Sequence, residues 1–486
     1  PNFTPALAEI IVSLGAIKIL LVGLFKKHNT LNWCFALAIA ALLIALLSLY
    51  SQSGGMQITF NGMFINDAYT LFVRKAVLIA AILIMILNRI TAIQDDLNKF
   101  EYPVLLLLSV CGILIMISAN DFLSLFMGIE LKSLSLYVLV GMRRNDPKSS
   151  EAAIKYFVLG ALSTGILLYG CSLIYGFTGL TNFQTLERFF QGQHLTQNLS
   201  IGLIVGVIFV IIGLGFKIAT APFHFWAPDV YQGTPISLTV FLATVPKIAA
   251  IAVIMKILVN PFAGIQGIWK PLIMFLCIFS MLTGALAALS QADVKRLIAY
   301  SSIGNMGFIL MGVVAGNESG IHASISYSVF YLISTLLFFG VLLYLARNGK
   351  TIKTLSDFHG IGKSFSVAAF LIAFSVLSMS GVPPLPGFLP KLMMIMAVVS
   401  QGNYSLAIFA VIYTVLSAAY CLIILKALFF DKSSQNISKN HAVYRKYDPS
   451  INFVLVFLFL FLLFSLLNPS PLLDAIHKAT VALMYL

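Results

Sequence analysis

Charged residues are scarce in this sequence, and their scarcity excludes an ordinary soluble globular protein. Only 10% of the 486 residues are charged, 60% are hydrophobic, and the mean hydropathy is +0.98. Soluble domains carry roughly 25% charged residues and rarely contain long apolar stretches. The composition therefore predicts a polytopic membrane protein.

The sequence also lacks the residue patterns of metal, redox and nucleotide sites. Its five cysteines lie scattered in apolar runs, without CxxC or Cys/His ligand spacing. We find no glycine-rich nucleotide loop and no nucleophile placed beside a general base. We therefore expect neither a metal nor a cofactor in this chain. The cysteines are Cys34, Cys111, Cys171, Cys277 and Cys421.

Fourteen apolar runs make up most of the chain. At 1.5 Å per residue, helices of this length match the roughly 30 Å of hydrocarbon in a bilayer. The predicted fold class is an all-α polytopic membrane protein with about 14 transmembrane helices. Numbered as spans 1 to 14, the runs are 5–25, 32–50, 69–88, 103–118, 121–142, 151–177, 201–228, 235–259, 269–290, 297–315, 320–346, 365–400, 404–430 and 451–468.

Basic residues in the connections predict the orientation. Loops after odd-numbered spans hold seventeen of them, whereas the opposite loops hold only Arg188 and Lys270. The basic side is then cytoplasmic or matrix (the inner side), and both termini face the outer side. The +13 net charge is thus a topology signal, and no nucleic-acid partner is expected. The seventeen are Lys26, Lys27, Arg89, Lys99, Arg143, Arg144, Lys148, Lys295, Arg296, Arg347, Lys350, Lys353, Lys363, Lys432, Lys439, Arg445 and Lys446.

Two spans contain prolines that interrupt a membrane helix. In span 7, Pro222 follows Lys217 by five residues, and in span 12 Lys391 follows the prolines of 381–393. A straight helix over 365–400 would be about 54 Å long, which requires a break. These breaks predict an inverted repeat of two five-helix units, spans 4–8 and 9–13, with function at the broken helices. The predicted segments are 1–102 (three N-terminal helices), 103–260 (first repeat), 261–430 (second repeat) and 431–486 (polar loop and C-terminal helix).

Four ionisable residues lie near the middle of predicted spans, and they are the candidate site. They are Glu130, Lys217, Lys247 and Lys391. A charge at such depth costs on the order of 2.5–3.5 kcal/mol on insertion scales and is a functional-site hypothesis by default. Movement of Glu130 toward or away from Lys217 would let the pair hold and release a proton. The alternative for Glu130 is a neutral carboxyl hydrogen-bonded to Ser133.

Other polar residues near the spans have weaker interpretations. Lys155 is either an interfacial anchor or the entrance of a proton path. Lys295 either belongs only to the inner-side charge pattern or has a functional role as well. His224 lies beside the first break. Glu9 is expected to reach the interface by snorkelling. Lys132 points to a different helix face from Glu130, and nothing in the sequence explains it.

Five sequence strings resemble subunit N of proton-pumping NADH:quinone oxidoreductase, respiratory complex I, whose mitochondrial counterpart is subunit 2. They are MGIELKSLSLYVLVG, SSEAAIKYFVLGALSTGILLYG, GFKIATAPFHFWAPDVYQGTP, VKRLIAYSSIGNMGF and GVPPLPGF. The resemblance implies antiporter-like repeats and proton translocation through Glu130, Lys217, Lys247 and Lys391, with Lys155 and Lys295 auxiliary. Where many relatives have histidine, this chain has Asn305.

The resemblance also implies the setting in which the chain works. NAD, FMN, iron–sulfur clusters and quinone are expected in other subunits, and the partners are other membrane-arm subunits and the lipid bilayer. A bacterial inner membrane is favoured over the mitochondrial inner membrane. Two alternatives remain, a cation/proton antiporter subunit and a structural scaffold whose charges only hold helices together.

Overall fold

A computed structural model describes residues 2–25, 30–52, 54–95, 97–192, 199–348, 351–431 and 449–484. Seven of the basic residues used to predict the orientation lie outside these ranges. They are Lys26, Lys27, Lys350, Lys432, Lys439, Arg445 and Lys446. Most of the predicted polar loop after span 13 also lies outside the described residues.

The described chain is almost entirely helical. Its helices are α1 Leu7–Phe25, α2 Thr30–Tyr50, α3 Ala68–Gln94, α4 Glu101–Ser118, α5 Phe122–Val140, α6 Pro147–Thr178, α7 Phe183–Gly192, α8 Ile201–Lys217, α9 Trp226–Gly233, α10 Ile236–Ala243, α11 Val245–Val259, α12 Gln266–Leu289, α13 Val294–Ala315, α14 Glu318–Arg347, α15 Ile361–Ser364, α16 Ser366–Ser380, α17 Phe388–Ser400, α18 Tyr404–Phe429, α19 Pro449–Leu467 and α20 Ser470–Met484. Short 3-10 turns cover Thr4–Ala6, Ala263–Ile265 and Leu355–Phe358.

These helices account for all fourteen predicted spans. Within the described residues, 12 helices are long and apolar enough to cross a membrane, and α8, α16 and α17 are shorter apolar helices. The shorter three form the broken spans 7 and 12, as the prolines predict. The all-α polytopic fold is confirmed, whereas the inverted repeat and the four segment boundaries stay predictions. Helix α20, which follows Pro469, was not predicted.

Four of the eleven aspartates begin helices. Asp67, Asp121, Asp146 and Asp293 precede α3, α5, α6 and α13, and each side chain accepts a hydrogen bond from a backbone N–H of the first turn. Such caps satisfy donors that have no partner inside the helix. These four aspartates therefore lie at span ends because capping needs them there.

A small β-hairpin lies in the connection between spans 2 and 3. Strands β1 Gln57–Thr59 and β2 Phe64–Asn66 pair antiparallel, with Thr59 opposite Phe64. Phe60, Asn61 and Gly62 of the turn have positive φ angles of 52°, 54° and 88°. The carbonyl oxygen of Gly62 accepts hydrogen bonds from the side-chain amides of Asn120 and Asn182, both 2.9 Å long. These bonds hold the hairpin against the start of α5.

Glu9 is buried in an ion pair, so the expectation that it reaches the interface was wrong. Its Oε2 lies 2.7 Å from Nη2 of Arg74 on α3, and Arg74 is fully buried. The guanidinium also donates to Asn66 Oδ1 at 3.0 Å and to the carbonyl of Pro5 at 3.1 Å. The orientation was predicted from basic residues in the loops alone, and Arg74, which lies inside span 3, was not considered.

We expect Arg74→Met to destabilise the protein by about 3–5 kcal/mol, because it leaves the Glu9 carboxylate buried without its cation. The double variant Glu9→Met/Arg74→Met should recover most of this loss, since no charge then remains in the apolar interior. Thermal unfolding of the purified protein in detergent measures both effects. Lys18→Met, at an exposed position on α1, is the control. Equal losses in the single and double variants would contradict the assignment.

Candidate functional site

Helix α8 ends at Lys217, where the first break begins, and the chain becomes helical again at Trp226, the first residue of α9. Ala219, in the break, has a φ of 61°. The freed backbone is satisfied by protein, as required at membrane depth: the Trp226 indole donates to the Phe216 carbonyl at 3.0 Å, and the Ala221 N–H donates to Ser280 Oγ at 2.8 Å. Hydrogen bonds from neighbouring residues therefore stabilise the opened turn inside the protein.

Lys217 is buried at this break, but its hydrogen bond does not go to Glu130. Its Nζ donates to Oγ1 of Thr164 on α6 over 2.9 Å. Glu130 is half-buried, and its Oε1 is buried without a hydrogen-bond partner among the described residues. Glu130 and Lys217 therefore form no ion pair among the described residues, and one oxygen of the Glu130 carboxylate has no hydrogen-bond donor there.

Lys247 lies at the start of α11, after an interruption that the sequence did not predict. Thr244 separates α10 from α11 with φ −121° and ψ −83°, and Pro246 follows in the first turn of α11. Lys247 is completely buried, and its Nζ donates to Oγ of Ser302 on α13. The Tyr231 ring lies 5.1 Å from the same nitrogen, close enough for a cation–π contact.

A small cavity brings Lys217, Lys247 and Lys132 together. The volume open to the centre of a water molecule is about 10 Å³, which is room for roughly one water. Lys132 is 2% exposed, and no described residue accepts a hydrogen bond from it. The sequence left Lys132 unexplained, although its depth in span 5 was the same signal that singled out the other lysines.

Lys391 sits in an aromatic cage beside the second break. Its Nζ donates to the carbonyl oxygen of Ser380, the last residue of α16, at 2.8 Å. Ring centroids of Phe308, Tyr327 and Tyr413 lie 5.0, 5.3 and 5.2 Å from the nitrogen. The break therefore supplies the carbonyl that solvates this lysine, and the rings add cation–π attraction.

Glycine makes the second break possible. Gly381 ends α16 with a φ of 76°, a conformation that residues with a Cβ rarely adopt. A Cβ on Gly387 would overlap the carbonyl oxygen of Ser378, so only glycine lets α17 begin this close to α16. The position of Lys391, four residues later, depends on this approach.

A set of polar side chains, called the polar bridge below, lies between Lys247 and Lys391. It consists of Ser301, Ser302, Asn305, Tyr327 and Tyr413. Ser302 accepts from Lys247; Ser301 is its neighbour on α13, and among the described residues no hydrogen bond links the two serines. Asn305 Nδ2 donates to Ser301 Oγ at 3.4 Å, and Asn305 Oδ1 accepts from the hydroxyls of Tyr327 and Tyr413, both at 2.9 Å.

Lys155 and Lys295 lie apart from the mid-span lysines, in a polar cluster at the predicted inner side. Asp229 accepts from Lys155 at 2.7 Å and from Arg296 at 2.6 Å. Lys295 donates to the carbonyls of Gln232 and Thr234 at 2.7 and 2.6 Å. Asp229 was missed by the sequence reasoning, although an acid beside a broken span was a usable signal.

His224 is also separate from the lysines. Its ring stacks on Phe225 with centroids 4.6 Å apart, and its Nδ1 is buried without a hydrogen-bond partner among the described residues. Lys217 and Lys247 thus line one cavity, and the polar bridge contacts both Lys247 and Lys391. The structure leaves Lys155, Lys295 and His224 outside that set.

Comparison with known proteins identifies the family. A family model described as "NADH:quinone oxidoreductase/Mrp antiporter, TM" matches residues 119–417, which contain every predicted site residue. The NADH-quinone oxidoreductase subunit N of Paramagnetospirillum magneticum is 40% identical over 442 residues, 90% of either chain. That of Pelagibacter ubique is 39% identical over 481 residues, 99% of either chain. The chain belongs to the NADH-quinone oxidoreductase subunit N family.

Solved structures show the same architecture for this subunit N family member. A chain of respiratory complex I from Thermus thermophilus with bound aureothin has a TM-score of 0.79 at 27% identity, over 97% of this chain and 99% of that one. A chain of the Mrp complex from Dietzia sp. DQ12-45-1b has a TM-score of 0.85 at 20% identity, over 100% and 98%. At that identity the second likeness shows the fold alone.

We expect Lys132→Met to stabilise the protein by about 1–4 kcal/mol, because it replaces a buried cation that has no acceptor with an apolar side chain of similar length. The thermal unfolding temperature of the purified protein measures this change. Lys18→Met makes the same replacement at an exposed site and should leave stability within about 0.5 kcal/mol. A clear destabilisation by Lys132→Met would show that the ammonium is well solvated in its pocket.

Proposed function

We propose that this chain moves protons across the bacterial inner membrane as a membrane-arm subunit of NADH:quinone oxidoreductase. Glu130, Lys217, Lys247 and Lys391 are the carriers in this proposal. The observation that carries it is the polar bridge, which lies between two buried lysines, Lys247 and Lys391, and contacts both. A chain that only anchored helices would have no need of polar groups between these lysines.

The solvation of the lysines suits reversible protonation. Lys217 and Lys247 each donate to a hydroxyl, and Lys391 donates to a carbonyl. None of the three forms an ion pair within the described residues. A neutral acceptor holds an ammonium less firmly than a carboxylate does, so each lysine can lose its proton without leaving an isolated buried anion behind.

In this proposal the driving energy comes from outside the chain. Moving one charge against a membrane potential costs about 2.3 kcal/mol per 100 mV. In our proposal NAD, FMN, iron–sulfur clusters and quinone act in other subunits, and contacts with neighbouring membrane-arm subunits transmit the effect.

A cation/proton antiporter subunit is the second candidate, and the likeness of the fold to the Mrp complex supports it. The relatives that cover nearly the whole chain carry the subunit N name, and they favour the first. Sodium-dependent transport by membranes from which the NADH-oxidising subunits have been removed would support the antiporter.

We expect Lys217→Ala and Glu130→Gln to abolish or strongly reduce proton translocation, with a smaller effect on assembly. Proton uptake into inverted membrane vesicles and NADH:quinone activity should be measured together on the assembled complex. Lys18→Ala is the control. Full pumping by Lys217→Ala would remove the basis of the proposal, and parallel loss of assembly and pumping would favour a scaffold role.

The polar bridge makes a separate prediction. Asn305→Leu removes the amide that joins Ser301 to Tyr327 and Tyr413, and an apolar side chain there excludes water. We expect fewer protons translocated per NADH oxidised. Asn305→His keeps a polar group of similar reach and should retain more of the pumping. An unchanged ratio of protons to NADH in Asn305→Leu would place the path elsewhere.

A further inference from the structure

A cavity separate from the candidate site is lined by none of Glu130, Lys217, Lys247 and Lys391. It is a groove of about 480 Å³ between α3, α14, α19 and α20, within the roughly 300–1,000 Å³ of typical ligand pockets. Most of its walls are apolar, with Leu83, Leu336 and Phe461 among them. The proposed function uses no part of this groove.

The polar residues of the groove are gathered at one end. Lys75, Lys478, Gln52 and Tyr50 line it. The Lys75 Nζ lies 4.4 Å from the Tyr50 ring centroid, and neither lysine forms an ion pair within the part of the chain that the structure describes. The carbonyl oxygen Oε1 of Gln52 is buried without a donor among these residues. This end thus offers two unneutralised cations and an unsatisfied acceptor.

The polar end lies at the predicted outer surface, and the apolar end lies deeper. Lys75 is about 10 Å along α3 from its first residue, Ala68, whereas Leu83 is about 22 Å along it. On α14, which begins at Glu318 on the same side, the groove extends to Leu336. The groove therefore runs from headgroup level toward the middle of the bilayer.

Helix α3 presents a stripe to this groove that no described element covers. Phe72, Lys75, Ala76 and Ile79 are partly exposed, whereas the residues between them are buried. This spacing is that of a single helix face. The stripe combines apolar side chains with one cation. A surface that contacts both a lipid tail and an anionic headgroup requires this combination.

We propose that the groove binds an anionic phospholipid. The phosphate contacts Lys75 and Lys478, a headgroup hydroxyl donates to Gln52, and an acyl chain lies along Ala76, Leu83 and Phe457. Basic pockets between membrane helices bind anionic headgroups in this way. A helix of another subunit is disfavoured as the occupant, because two unpaired lysines at the mouth would need acidic partners placed at headgroup level.

The test uses a photo-crosslinking benzoylphenylalanine at Phe457, which lines the groove and is 42% exposed. The assembled complex is placed in nanodiscs of equal parts phosphatidylglycerol and phosphatidylcholine, irradiated, and the mass of this chain is measured. The same residue at Phe275, which is exposed on α12 outside the groove, reports on bulk lipid. We expect phosphatidylglycerol adducts to be enriched at 457 relative to 275.

Lysine variants test the headgroup contact. Lys75→Ala/Lys478→Ala should reduce the enrichment by about 30-fold, roughly fivefold for each lysine. Lys270→Ala removes a lysine on the same predicted side that does not line the groove, and should leave it unchanged. Ala76→Phe, which fills the groove, should lower adducts of both lipids at 457. The rate of NADH oxidation by each variant complex checks that it has assembled.

Three outcomes would overturn the proposal. The first is an adduct composition at 457 that matches the composition at 275. The second is enrichment that survives the double lysine variant in an assembled complex. The third is cross-linking of position 457 to another protein subunit, which would identify a helix as the occupant.

Discussion

The cost of placing a cation in hydrocarbon determines much of this structure. Each mid-span lysine used in the proposal has an oxygen acceptor from a different helix or from a broken helix end: Thr164 for Lys217, Ser302 for Lys247 and the Ser380 carbonyl for Lys391. A carbonyl at a helix end lacks its i+4 N–H partner and is therefore available to a side chain, as the Ser380 carbonyl is to Lys391. The second interruption is thus part of how Lys391 is solvated.

The interruptions in turn require a scaffold that satisfies the rest of the opened backbone. The Trp226 indole and the Ser280 hydroxyl do this at the first break, and the approach at Gly387 closes the second. Helix α13 carries Ser302, which accepts from Lys247, and Asn305, which accepts from two of the tyrosines that surround Lys391. In this fold, helix packing, the hydrogen bonding of the opened backbone and the positions of the titratable groups consequently depend on one another.

The spans, both proline breaks and the lysines were predictable, because each leaves a local mark: a hydropathy run, a proline or a charge at depth. Contacts between residues of different helices have no local signal of this kind in the sequence. Glu9 and Arg74 are 65 residues apart, and Asp229 meets Lys155 and Arg296 only after folding. The interruption at Thr244 has no glycine, and the proline beside it also fits a continuous span. Helix α20 escaped prediction because its amphipathic pattern lacks a long apolar run.

Asn305 divides the polar bridge into two parts. Its Oδ1 lies 2.9 Å from the hydroxyls of Tyr327 and Tyr413, while its amide nitrogen donates toward Ser301. A proton hops along a chain only if every member can give up one proton and take another, and a carboxamide does neither readily. If the lysines carry protons as proposed, a water molecule or a turned side chain has to bypass this carboxamide at each transfer, which would make Asn305 a barrier to back-flow.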